Sequence, residues 1–146
     1  YLIYADAKRA IAYLCGVFGF KQELAYPMDD GRIGHAELSY EGNLIYLASE
    51  FEGFGVSPAR LSDTHSALYW LVEDADSHYA RTLEAGATIV SPPVHAHGMR
   101  LYRALDSEGH RWTFASPEVS GESTLGAPPR RSTRPCSRWP IRPADA

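Results

Sequence analysis

The chain has 146 residues, 45% of them hydrophobic and 22% charged, the balance of a globular protein able to bury one core. Its net charge of −4 hides an asymmetry, because five arginines face three acidic residues from Glu118 onward, leaving −6 on the preceding body. An acidic body is a poor partner for nucleic acid, and no apolar run nears the roughly 18 residues that cross a bilayer. The two cysteines, Cys15 and Cys136, suggest no disulfide framework, and the expected compartment is the reducing cytoplasm. Tyr1 lies inside an apolar run with no Met before it, so the natural chain is expected to begin further upstream.

Residues 2–4 read as a short apolar strand, followed by Asp6, a residue suited to capping a helix. Ala7, Ala10, Ile11, Leu14 and Phe18 then recur at helical spacing, and Gly16 and Gly19 close the helix. A strand over 22–26 leads through a loop rich in Pro, Asp and Gly to two strands joined at Glu41-Gly42 and ending near Ser49. Residues 50–64, with Gly53, Gly55 and Pro58, read as a linker. The pattern then repeats. A strand over 67–72 precedes the cap Asp74, and Tyr79, Ala80, Leu83 and Ala87 mark a helix stopped by Gly86. A strand over 88–90, a loop at Pro92-Pro93 and two strands around Glu108-Gly109 complete the second copy. Residues 118–146 are rich in Pro, Arg and Ser without apolar period, so they are expected to be a disordered tail.

The two copies align by register. Residues 31–49 lie over 98–116 at a constant offset of 67, with Gly31/Gly98, Leu38/Leu105, Glu41/Glu108, Gly42/Gly109, Ala48/Ala115 and Ser49/Ser116 coinciding. Upstream, Tyr4-Ala-Asp6-Ala7 matches Val72-Glu-Asp74-Ala75 at an offset of 68. The fold expected is α+β: two tandem βαβββ modules, 1–49 and 65–117, forming a curved, U-shaped mixed sheet with the helices outside. Its concave face is the natural ligand cup. Strand alternation sends Ala36, Leu38, Ile45, Leu47, Leu101, Leu105, Trp112 and Phe114 to the core. It leaves His35, Glu37, Tyr46, Tyr69, Arg100, Tyr102, Arg111 and Thr113 in the cup, a set suited to an aromatic or anionic organic ligand.

Four stretches, Ala7-Lys-Arg-Ala-Ile-Ala-Tyr…Val-Phe-Gly-Phe20, Asp30-Gly-Arg-Ile-Gly-His-Ala-Glu-Leu38, Val72-Glu-Asp-Ala-Asp-Ser-His-Tyr-Ala-Arg81 and Asp106-Ser-Glu-Gly-His-Arg-Trp-Thr-Phe114, carry a family resemblance. In them the chain resembles the vicinal oxygen chelate superfamily, which includes glyoxalases, extradiol dioxygenases, fosfomycin-resistance enzymes and bleomycin-resistance proteins. It is most similar to the bleomycin-resistance-like branch. The resemblance implies metal-ligand positions at Tyr46, Ala67 and Thr113, with a fourth upstream of Tyr1. None of the three is a usual ligand for a divalent ion, so no metal cofactor is expected.

Other residues are weighed as replacements. His65, at a loop-strand junction, is expected to be a local polar residue, and His95 and His97 form a His-x-His lacking a third ligand. His35 and Glu37 are candidates for acid/base work, with a pocket-wall role expected first. His110 is expected to satisfy local backbone, and Cys15 has no evident activating partner. The function expected is metal-independent binding or sequestration of a small organic molecule. The alternative is a metal-dependent lyase, isomerase or dioxygenase. The resemblance further implies a homodimer.

Overall fold

The computed structural model describes residues 1–64 and 66–118. His65, Cys136 and the tail expected to be disordered, apart from Glu118, lie outside the described residues. In chain order the elements are β1 (Leu2–Tyr4), α1 (Ala7–Gly16), β2 (Lys21–Pro27), β3 (Ile33–Tyr40), β4 (Asn43–Ser49), a 3-10 turn (Pro58–Arg60), β5 (Ala67–Leu71), α2 (Ala75–Glu84), β6 (Thr88–Ala96), β7 (Met99–Leu105) and β8 (Arg111–Pro117). The strands form two four-stranded mixed sheets, ordered β1-β4-β3-β2 and β5-β8-β7-β6. In each, the module's first strand runs parallel to its last and the other neighbours are antiparallel. This is the expected α+β pair of βαβββ modules, with the sheets open rather than closed into a barrel. No described helix is long and apolar enough to cross a membrane.

Both helices start where their caps predict. Asp6 accepts from the Arg9 backbone N–H at 3.0 Å, and Asp74 from that of Ser77 at 2.6 Å, each relieving a donor that the first turn leaves unpaired. Ala7, Ala10, Ile11 and Leu14 make the buried stripe of α1, as their spacing predicts. Helix α2 departs from expectation. Ala80 and Leu83 are exposed, and the buried stripe is Ala75, His78 and Thr82. Two polar side chains take core positions there because both find a partner in Tyr102. Tyr102 Oη lies 2.6 Å from His78 Nδ1 and 2.9 Å from Thr82 Oγ1, while His78 Nε2–H donates to the Phe18 carbonyl at 3.1 Å.

That last bond crosses between modules. Phe18 and Phe20, just beyond α1, pack on the inner face of the second sheet, with ring centroids 5.0 Å from Phe114 and 5.2 Å from Trp70 respectively. The result is one continuous core shared by both sheets and both helices.

The repeat register holds for β1/β5 and β4/β8 but slips in between. In module one β3 and β4 meet at a two-residue turn, Tyr40 pairing with Asn43. Glu41 (φ 48°) and Gly42 (φ 80°) supply the left-handed pair that such a turn needs. In module two β7 and β8 are joined by a longer loop, Leu105 pairing with Arg111. Between the equivalent pairs Ser39/Leu44 and Leu105/Arg111 the second copy has one extra residue, so Tyr102 matches Ala36, not His35. A one-residue slip turns every side chain of a strand to the other face. Arg100, Tyr102 and Ala104 therefore lie on the helix side, beside Ser116, Phe114 and Trp112, while Leu101, Arg103 and Leu105 point to the open face with Thr113 and Arg111. Leu101 is buried there, outside the main core.

Strand β6 also runs further than expected, through Pro92-Pro93 to Ala96, so His95 sits in a strand and not a loop. It is an edge strand with register shifts around Ser91, where prolines that lack an N–H are tolerated. The linker carries the 3-10 turn Pro58–Arg60 and an isolated bridge between Phe51 and Gly55.

Candidate functional site

The open face of the first sheet gathers four aromatic or titratable residues from three strands and a fifth from the chain start. His35 is the centre. Tyr26 stacks on its ring at 6.2 Å, Tyr46 lies at 5.4 Å and Tyr1 at 5.6 Å, with the Tyr1 hydroxyl hydrogen-bonded to Nδ1. On its other side, His35 Nε2 is 3.2 Å from Glu37 Oε1. Ladder register explains the gathering, since Glu37 pairs with Tyr46 on β4 and His35 with Tyr26 on β2. Burial and the charge of Glu37 push the Tyr1 hydroxyl above its ordinary range, which keeps it a neutral donor. Tyr1, Tyr26 and Tyr46 are all exposed, so a sheet face that would otherwise be polar presents aromatic surface to solvent.

On the second sheet the open face carries Tyr69, Leu71, Arg103, Arg111 and Thr113. Arg111 reaches Asp63 of the linker at 3.4 Å. Leu44, at the start of β4, lines one depression with Tyr69, Trp70 and Leu71 of β5. The structure thus brings His35, Glu37 and Tyr46 together, and Tyr69, Arg111 and Thr113 onto one face. Two expected cup residues lie elsewhere. Arg100 forks onto Asp76 of α2 at 2.8 and 2.9 Å, and Tyr102 is fully buried against His78. On β7 the arginine on the open face is Arg103, opposite Thr113, and not Arg100, an orientation legible only once the extra loop residue is known. His95 pairs with Glu118 at 2.7 Å, and His97 holds a left-handed position (φ 55°) in the β6–β7 turn.

Sequence reasoning also missed a buried acidic centre between the modules. Asp106, 5% exposed, accepts from Tyr4 Oη at 2.6 Å, Trp112 Nε1 at 3.1 Å and the backbone N–H groups of His110 and Glu108 at 3.0 and 3.1 Å. Burial pushes its carboxyl up, but these bonds and His110 outweigh burial and hold it below the usual carboxylate range. Glu108 accepts from the backbone N–H groups of Ala5 and Asp6 at 2.7 and 2.8 Å and from Ser57, tying the β7–β8 loop to the start of α1.

The three visible positions where the resemblance puts metal ligands do not suit a divalent ion. Ala67 offers no donor atom, and its ladder partner Arg111 sets a guanidinium on the same face, two residues from Thr113. Tyr46 packs against Tyr1 and His35. Among the described residues no group of three His, Cys, Asp or Glu side chains is placed to hold a metal ion.

A family model, the Glyoxalase/Bleomycin resistance protein/Dioxygenase superfamily, matches residues 2–114. The chain belongs to that superfamily. Among solved structures of this superfamily's fold, TioX from Micromonospora sp. ML1 is 35% identical, with a TM-score of 0.65 over 80% of this chain and 94% of that one. TnmS3 from Streptomyces sp. CB03234, an antibiotic binding protein, shares 19% identity at a TM-score of 0.60 over 80% and 90% of the two chains. The fosfomycin resistance protein FosX from Mesorhizobium loti shares 16% at 0.56, covering 81% and 88%. Likeness at such low identity establishes the fold alone. A Mycobacterium bovis protein of uncharacterised function is 29% identical over 122 residues, 80% of each chain.

Proposed function

We propose that this superfamily member binds a bulky, partly aromatic organic molecule on its open sheet faces and holds it without chemical change or a metal. The observation that carries the reading is the set of solvent-facing tyrosines around His35, with Glu37 and the arginines of the second sheet as polar anchors. Stacking on aromatic faces and Arg forks on anionic groups would supply the recognition. The misfit of Tyr46, Ala67 and Thr113 to a cation supports a metal-free site, and an antibiotic binding protein among the fold neighbours supports a ligand of this kind.

The same reading includes a symmetric homodimer. Leu44, Tyr69 and Leu71 leave apolar surface exposed around one depression, and a second copy would cover it. Elemental analysis of the purified protein tests the metal-free site, and stoichiometric Zn, Fe, Mn or Ni surviving dialysis would overturn it. Light scattering at micromolar concentration should give the mass of two chains; the mass of one would remove the dimer.

A second reading rests on the His35–Glu37 contact alone, in which the pair moves a proton on the bound molecule. It predicts turnover that H35A and E37Q both abolish while binding persists. Unchanged turnover in both variants rejects it.

A further inference from the structure

Beside the aromatic face, across β1, lies a second compartment. A cleft of about 420 Å³ opens between β1, the linker and the start of β5, walled by Tyr1, Ile3, Phe54, Val56, Leu61 and His110. Its size falls within the roughly 300–1,000 Å³ of small-molecule sites. The linker lies close on β1 because residue 55 is glycine: a Cβ there would sit 3.1 Å from Ile3 Cγ1. The walls are mostly apolar, with His110 as the polar ring and Thr64, whose hydroxyl is bonded to the Ser66 backbone, and Ser66 beside the start of β5. The His110 ring is only 6% exposed and is held against Tyr4 at 4.5 Å between centroids.

The protons on that ring are fixed by its neighbour. Nδ1 is 3.2 Å from Asp106 Oδ2, at an angle poorer than a straight hydrogen bond. Asp106 accepts from four other donors and so acts as an ionised acceptor, and an unprotonated Nδ1 would set its lone pair against that oxygen. In the neutral ring this contact favours the tautomer with its proton on Nδ1, which leaves the lone pair on Nε2. Nε2 has no hydrogen-bond partner among the described residues.

We propose that this cleft is a second small-molecule site, taking an apolar molecule whose hydroxyl donates a hydrogen bond to His110 Nε2. Phe54, Val56 and Leu61 are each exposed at the rim and supply the apolar contact. An unpaired acceptor on a mostly apolar wall favours a ligand with a donor over the same ligand without one, because the ligand without one forfeits the bond to Nε2. The site extends beyond the binding face proposed above and shares only Tyr1 with it.

The test uses 4-propylphenol and its methyl ether, 4-propylanisole, as probes, followed by NMR of the full chain. The phenol is expected to move the signals of Val56, Leu61 and the His110 ring saturably, and to bind at least fivefold tighter than the ether. H110F, which keeps a ring against Tyr4, should bind both probes equally. V56R, a change at the exposed rim, should abolish phenol binding while leaving the melting temperature unchanged. The proposal is overturned if the ether binds as well as the phenol, if V56R binds normally, or if no saturable shift appears. Shifts confined to Tyr26, His35 and Tyr46 would likewise overturn it, while leaving the sheet-face reading intact.

Discussion

Replacing His78 by glutamine should flatten the acid side of the protein's stability profile. Burial holds the folded-state His78 at about 4 against an ordinary value of 6.5, and its Nδ1 and Nε2 are already committed to Tyr102 and Phe18. The folded chain keeps the ring neutral while the unfolded chain takes up a proton, so the unfolded state binds more protons between those limits. The stabilisation is fully present above pH 6.5 and is lost as pH falls towards 4. Linkage makes the loss about 2 kcal/mol between pH 7 and pH 5, and the side chain's near-complete burial leaves little solvent screening to reduce it. Urea unfolding of wild type and H78Q at pH 7, 6 and 5 reads the effect directly. The variant should be weaker at pH 7, having lost its bond across the modules, and the gap should close by about 2 kcal/mol at pH 5. A gap constant within about 0.5 kcal/mol would refute the assignment.

Other outcomes follow from the same geometry. Phe18→Ala empties a fully buried position at the joint between modules and should cost about 3–5 kcal/mol in urea unfolding. Tyr4→Phe removes one of the bonds to Asp106 and should cost about 1–2 kcal/mol, read as a lowered melting temperature. The register of β7 makes a paired prediction for an anionic aromatic probe such as anthraquinone-2-carboxylate. R103A should weaken its binding, whereas R100A, which breaks only a half-exposed pair with Asp76, should leave affinity unchanged and cost less than about 1 kcal/mol.

Much of the fold was legible because it rests on local signals. Asp6 and Asp74 cap helices wherever they precede a helical stripe, and Gly42 marks a tight turn by its own backbone freedom. The repeat fixed the order of elements and correctly paired β4 with β8. It failed on β7 because the constant offset behind coincidences such as Gly31/Gly98 and Leu38/Leu105 ignores one extra residue between Leu105 and Arg111, compared with Ser39 and Leu44. Nothing in the local sequence marks that extra residue, and strand alternation carries the error to every side chain of the strand. The face of α2 was misread for another reason. Hydrophobicity points to Ala80 and Leu83, but His78 and Thr82 go inside because Tyr102 and the Phe18 carbonyl satisfy them from other elements. The Asp106 centre was hidden likewise, since its partner Tyr4 is 102 residues away in the chain. On the first sheet the cluster of His35, Glu37 and Tyr46 was found in advance, because all three lie on strands joined by the two-residue turn.

The central claim is that the aromatic face around His35 holds an organic ligand without a metal. Fluorescence titration of the EDTA-treated chain with anthraquinone-2-carboxylate, beside the Y46A variant, tests it most directly. The account predicts saturable binding that EDTA leaves unchanged and that Y46A weakens about tenfold, near 1.4 kcal/mol of lost stacking. Binding that appears only on adding a divalent metal, or that is indifferent to the loss of Tyr46, would contradict it.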